Sequence, residues 1–86
     1  MRYRVVFLPS AAREMEGLRR VPEYSRIDSA VTALGQEPRP TGARKLSGQP
    51  GYRIRISDYR VVYDIEDAVR IVSILKVGHR SGVYHK

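Results

Sequence analysis

The sequence predicts a single α+β domain, residues 1–86, in which one strand is followed by a helical hairpin and then by antiparallel strands, β-αα-ββββ, with the helices packed on one face of the sheet. Three observations predict it. A run of β-branched and aromatic residues opens the chain and stops at Pro9. Between residues 8 and 34 apolar residues recur at intervals of three and four, and Pro22 divides that stretch in two. After residue 43 the pattern changes to alternation with a period of two, in segments separated by turn residues.

Arg2 to Leu8 reads as the first strand, ended by Pro9. Ser10 is placed to cap a helix whose stripe is Leu8, Ala11, Ala12, Met15 and Leu18, and Arg19-Arg20 follow where cations suit the helix dipole. Pro22 fits the first turn of a second helix with Ile27, Ala30, Val31 and Leu34 on one face, closed by Gly35 and Pro38. Residues 35–43, with two Gly and two Pro, form a loop. Short strand Arg44-Lys45-Leu46 follows, then alternating segments at 52–57, 59–65 and 68–77. The helical hairpin returns the chain to the end where the first strand finished. The next strand therefore runs antiparallel to the first, and the rest follow as hairpins.

With 42% hydrophobic and 29% charged residues, the chain has the composition of a folded globular domain. It has no cysteine, which removes disulfides, thiol catalysis and thiolate metal sites, and fits a reducing compartment. The apolar run Val5 to Leu8 is far short of a signal or membrane segment, so a cytoplasmic protein with no membrane contact is expected. Net charge is +7 and the pI about 10.3, a balance suited to a polyanion or an acidic protein partner. The excess is uneven, six Lys/Arg against five Asp/Glu in residues 1–38 but ten against four in residues 39–86. A solubilising surface would account for the charge alone.

Arrangement says more than amount. If Ser57-Asp58 is a two-residue hairpin loop, Ile56 pairs with Tyr59, Arg55 with Arg60, Ile54 with Val61 and Tyr52 with Tyr63. Tyr52, Ile54, Ile56, Tyr59, Val61 and Tyr63 then share one face, while Arg53, Arg55 and Arg60 share the other. Opposed like charges weaken a sheet by a few tenths of a kcal/mol up to about 1 kcal/mol, so an anionic ligand is the natural compensation. Arginine's planar fork matches phosphate oxygens bidentately. The plain alternative is three arginines splayed into water and loosely paired with Asp58 or Asp64.

The tail adds His79, Arg80, Tyr84 and His85. Cleavage of a phosphodiester needs one group to take a proton and another to stabilise or protonate the leaving oxygen, and Tyr84, His79 and His85 are the candidates for proton transfer. Solvation explains either imidazole taken alone, and core packing or stacking explains Tyr84. Their company with the arginines is what points to chemistry. No metal or cofactor is expected: two histidines without cysteine or a carboxylate cluster make a poor ligand set, and no phosphate loop or nucleophile elbow occurs. Glu66-Asp67 falls in an expected turn, where solvation accounts for both.

These residues resemble the RelE/ParE superfamily of small prokaryotic toxins, and the RelE branch in particular. The resemblance spans nearly the whole chain. It is carried by Lys45-Leu46 with Gly48, by Tyr52-Arg53-Ile54-Arg55, by Asp58-Tyr59-Arg60-Val61-Val62-Tyr63, by a valine-rich strand ending at Val77, and by His79-Arg80 with Val83-Tyr84. It implies a toxin of a toxin–antitoxin pair that cuts messenger RNA in the ribosomal A site and is held inactive by a cognate acidic antitoxin. It further implies that Arg53, Arg55, Arg60 and Arg80 hold and neutralise the scissile phosphate, with Arg44 and Lys45 joining Arg53 and Arg55 in binding RNA. Tyr84 would stack on a base, accept a proton, or both. The implied reaction is metal-independent attack by a ribose 2′-OH on the adjacent phosphate. Dense positive charge would lower a neighbouring tyrosine's pKa, whereas arginine is a poor proton donor.

Lysines are frequent in the family where this chain has Arg53 and Arg55, so the general acid stays open, with His79 and His85 as rivals. The toxin alone is expected to be a monomer that forms a hetero-oligomer with its antitoxin. The rival class is a ParE-like inhibitor of DNA gyrase, or a homologue that only binds antitoxin. That reading ranks second because ParE-type toxins usually lack this arginine and tyrosine set.

Overall fold

The computed structural model describes residues 2–83. The elements are β1 (Arg4–Phe7), α1 (Pro9–Glu16), α2 (Tyr24–Ala33), β2 (Arg44–Lys45), β3 (Tyr52–Ile56), β4 (Tyr59–Glu66), β5 (Ile71–His79) and a short α3 (Arg80–Val83). The five strands form one sheet in the order β1-β5-β4-β3-β2. The expected α+β architecture is present.

Two helix starts differ from expectation. Leu8, in extended conformation, occupies the α1 cap position without a side-chain cap bond, and Pro9 takes the first helical position, so Ser10 lies inside the helix. Proline's fixed φ and missing N–H suit that place. Helix α2 begins only at Tyr24, with Glu23 in the cap position. Pro22 belongs to the turn before it, where the Tyr24 N–H donates to the Val21 carbonyl at 3.0 Å.

Strand directions follow from counting hairpins. β2, β3, β4 and β5 are joined by three antiparallel pairings, and β5 therefore points the same way as β1 and pairs with it in parallel, Val5 opposite Val72 and Phe7 opposite Ile74. β2 does run opposite to β1, as expected, but from the far edge of a mixed sheet. The last strand starts at Ile71 rather than 68, because residues 67–70 turn and Arg70 has φ 57°. Its alternation also breaks. Val62 faces Lys76 while Tyr63 faces Ile74, leaving Leu75 as the extra residue of a β-bulge.

The core lies between the helices and one sheet face. Ala11 and Met15 of α1, and Ile27 and Val31 of α2 with Leu34, meet Ile54, Ile56, Val61, Tyr63, Val72, Ile74 and Val77 from the strands. Full burial of each large aliphatic side chain contributes about 1.5–3 kcal/mol. Beyond Phe7 the strand β5 has no strand neighbour on that side. Glu14 of α1 fills the place: its carboxylate accepts the Val77 N–H at 2.9 Å and the Lys76 ammonium at 3.3 Å. Gly51, at φ 109°, leads into β3, and a Cβ there would lie 2.9 Å from the Tyr63 carbonyl oxygen. Glycine is required by both conformation and space.

Candidate nucleic-acid interface

The hairpin β3–β4 has the register expected from sequence: Tyr52 opposite Tyr63, Ile54 opposite Val61, Arg55 opposite Arg60 and Ile56 opposite Tyr59. Ser57 and Asp58 form the turn, with Ser57 at φ 57°. Ile54, Ile56, Val61 and Tyr63 are buried beneath the helices. Alternation therefore assigns Arg53, Arg55 and Arg60 to the opposite, outer face. Arg44 of β2 pairs with Arg53 and joins them, whereas Lys76, opposite Val62, turns its ammonium to Glu14 of α1. Strands lie about 4.8 Å apart, so the arginines of β2, β3 and β4 span two strand spacings.

Exposure differs within the group. Arg55 is exposed and Arg53 half-buried, whereas Arg60 is only 9% exposed. Arg60 is thus no water-splayed side chain, contrary to the picture of three cations facing solvent. Desolvating a guanidinium is costly unless opposite charge or hydrogen-bond acceptors meet it, and burial makes each interaction it does form stronger. A depression of about 310 Å³ lies along β2 and β3, lined by Thr41, Gly42, Arg44, Arg53, Ile54 and Arg55. Along β4 the outer face changes sign, since Asp64 and Glu66 follow Val62 at the two-residue spacing. The positive end is the end nearest the Ser57-Asp58 turn.

Arg80 meets that turn. Its backbone N–H donates to the Asp58 carbonyl at 2.7 Å, and its Nε lies 3.8 Å from Asp58 Oδ1. His79 does not join the arginines. It pairs with Tyr59, on the core side of the sheet, and its ring sits edge-on to Tyr59 with centroids 5.5 Å apart. Its Nδ1 lies 3.1 Å from Ser81 Oγ and accepts the Ser81 N–H at 3.4 Å, which leaves the ring proton of the neutral form on Nε2. Lys45 is likewise on the other face, with its ammonium 5.3 Å from the Tyr52 ring centroid. Tyr84 and His85 lie outside the described residues.

Sequence reasoning missed a second polar cluster, at the opposite end of the sheet. Asp67 accepts the Tyr3 hydroxyl at 2.6 Å and two Arg39 nitrogens at 3.3 and 3.0 Å. Arg39 Nε also donates to the Tyr52 hydroxyl at 3.1 Å, and the Tyr63 hydroxyl donates to the Pro38 carbonyl at 2.7 Å. Asp67 is therefore a partnered group and not merely a solvated turn residue. Hydrogen bonds from Arg39 and then Tyr3 hold its carboxyl below the ordinary value, and the same bond, with Asp67, raises the Tyr3 phenol. The cluster ties loop 35–43 to the sheet and so sets where β2 and Arg44 begin. Its members are separated by 64 and 28 residues, so no local pattern announces it.

Among the described residues no group of three or more His, Asp or Glu side chains could hold a metal ion. No helix there is long and apolar enough to cross a membrane.

Comparison with known proteins agrees with this architecture. Residues 5–84 match the family described as ParE toxin of type II toxin–antitoxin system, parDE. Toxin RelG of Mycobacterium tuberculosis is 32% identical over 89 residues, with all of both chains covered. The toxin–antitoxin complex RelBE2 of Mycobacterium tuberculosis contains a chain of TM-score 0.76 and 28% identity, covering 93% of this chain and 100% of that one. A chain of the archaeal RelE–RelB complex of Pyrococcus horikoshii has TM-score 0.75 and 27% identity, covering 95% and 99%. With strand register, helical layer and chain length all accounted for, the chain belongs to the RelE/ParE superfamily, the toxins of type II toxin–antitoxin systems.

Proposed function

We propose that this chain is a RelE-like messenger RNA interferase, cutting transcripts in the ribosomal A site without a metal. The observation that carries the reading is the convergence of Arg44, Arg53, Arg55 and Arg60 on one sheet face, with Arg80 at its turn end. In this reaction the 2′-oxygen bonds to the adjacent phosphorus and its proton passes to a base. The bond to the 5′-oxygen breaks and that oxygen takes a proton, giving a cyclic phosphate and a 5′-OH. Arg55, Arg60 and Arg80 neutralise the charge growing on the phosphate, and guanidinium groups held in place by strand and turn need little rearrangement to do so. Arg44 and Arg53 hold the neighbouring backbone. Tyr84 is the proposed base or stacking platform, and His85 remains a proton donor to test. The side on which His79 sits supports a smaller part for it.

The partner is an acidic antitoxin that covers the basic face or packs on exposed strands, in a hetero-oligomer, the toxin alone being a monomer in the cytoplasm. RelE proteins crystallised with RelB partners support that assignment. A second reading, inhibition of DNA gyrase, is favoured by the ParE description of the matching family. Inducing the chain in cells without antitoxin, then mapping transcript 5′ ends beside DNA supercoiling, separates the two. Codon-phased cuts that Arg60→Ala, Arg80→Ala and Tyr84→Phe each suppress are expected. Altered supercoiling with intact transcripts would reverse the order.

A further inference from the structure

We infer that Asp58 is a positioning residue for Arg80, its carboxylate drawing the Nε edge of the guanidinium toward the turn so that the other edge is left for an RNA phosphate. The inference rests on the reading of the arginine face as an RNA site, and it concerns a carboxylate that a pure charge argument would count as a nuisance there.

Asp58 meets Arg80 twice, once through a backbone hydrogen bond and once through an ion pair. Its carbonyl accepts the Arg80 N–H at 2.7 Å, which fastens the root of α3 to the β3–β4 turn. Its carboxylate approaches the Arg80 Nε, at 3.8 Å from Oδ1. No other partner of the Arg80 guanidinium occurs among the described residues. A guanidinium presents five N–H donors in a plane; a carboxylate on the Nε side leaves the two terminal nitrogens as a fork that matches two phosphate oxygens.

The turn makes Asp58 a firm support. It has only two residues, Ser57 stands at φ 57°, and the Ile56–Tyr59 and Arg55–Arg60 pairs close directly behind it. A long flexible arginine at the end of a strand loses rotamer freedom when it binds phosphate. Restricting Arg80 beforehand removes part of that loss. Both side chains are about two-thirds exposed, 62% and 66%, so the effect is modest and screened by salt.

Simple electrostatics and positioning predict opposite signs. Deleting a negative charge beside a cation cluster should tighten RNA binding, whereas losing the carboxylate's pull on Arg80 should weaken it. The test is the affinity of a short single-stranded RNA, 2′-O-methylated throughout so that it cannot be cut, measured by fluorescence anisotropy at low salt. Five chains are compared: unsubstituted, Asp58→Asn, Asp58→Glu, Arg80→Gln and the double variant Asp58→Asn with Arg80→Gln. Positioning predicts that Asp58→Asn weakens binding about threefold, that Asp58→Glu restores part of the loss, and that Asp58→Asn costs nothing once Arg80 is Gln. The backbone bond survives every substitution, so melting temperatures should stay level.

Equal or tighter binding by Asp58→Asn overturns the inference. So does a loss that persists in the Arg80→Gln background, including one that accompanies a lower melting temperature. Messenger RNA cleavage by translating ribosomes without Asp58–Arg80 coupling defeats this inference alone. Coupling without cleavage defeats the proposed function alone.

Discussion

Replacing Tyr63 by Phe isolates one hydroxyl in the core and gives a stability change that can be worked from the structure. Tyr63 is fully buried, its ring stacks on Tyr52 with centroids 5.9 Å apart, and its hydroxyl donates to the Pro38 carbonyl at 2.7 Å. Phe keeps the ring and its packing but leaves the carbonyl of Pro38, itself buried, without that donor. An orphaned buried acceptor costs about 1–3 kcal/mol, offset in part because the hydroxyl no longer needs burying. About 1.5 kcal/mol is therefore expected, and for a domain this size that lowers the melting temperature by roughly 6–12 °C. Urea denaturation measures it as a fall in midpoint with an unchanged slope. An unchanged midpoint would refute the claim that this bond anchors loop 35–43.

A pH dependence accompanies it. Burial pushes the Tyr63 phenol up to about 12, from 10. Its folded-state preference for the protonated form is fully present below the unfolded value and is lost as pH rises through the folded one. The gap between the native chain and Tyr63→Phe should accordingly narrow between about pH 10 and 12.

Two further predictions concern the other cluster and the interface. Asp67 is held below its ordinary pKa by Arg39 and Tyr3, so its contribution is present above the unfolded carboxylate value and lost as pH falls through the folded one. Asp67→Asn should lower the urea midpoint near about pH 6 and converge with the native chain near about pH 2; a constant difference across that range would place the effect elsewhere. Arg44→Ala should reduce the slope of log affinity against log salt for single-stranded RNA by about 0.7, one phosphate contact. Lys45→Ala, whose ammonium lies by Tyr52 on the other face, should change that slope less, and equal slopes would contradict the assignment of faces.

Local pattern was enough for the five strands, the two longer helices and the β3–β4 register, though not for the short α3. A two-residue turn leaves one pairing, and the alternation of Tyr52 to Tyr63 then divides arginines from core residues whatever surrounds them. Helix starts were less legible, because Ser10 and Pro22 carry capping and first-turn signals that Leu8-Pro9 and Glu23 outcompeted once the backbone geometry was set. The bulge at Leu75 was hidden because one extra residue leaves both flanking patterns intact.

The sequence by itself therefore determined which residues could share a face: period two within a strand is a property of the backbone and needs no partner. What only the tertiary structure decided was everything that depends on distance between separate segments. It set β1 beside β5 in parallel, buried Arg60, turned His79 and Lys45 away from the arginine face, brought Tyr3 and Arg39 onto Asp67, and laid Arg80 against Asp58. Such contacts arise from how layers pack and how hairpins add up in direction, and those sums are made over the whole chain.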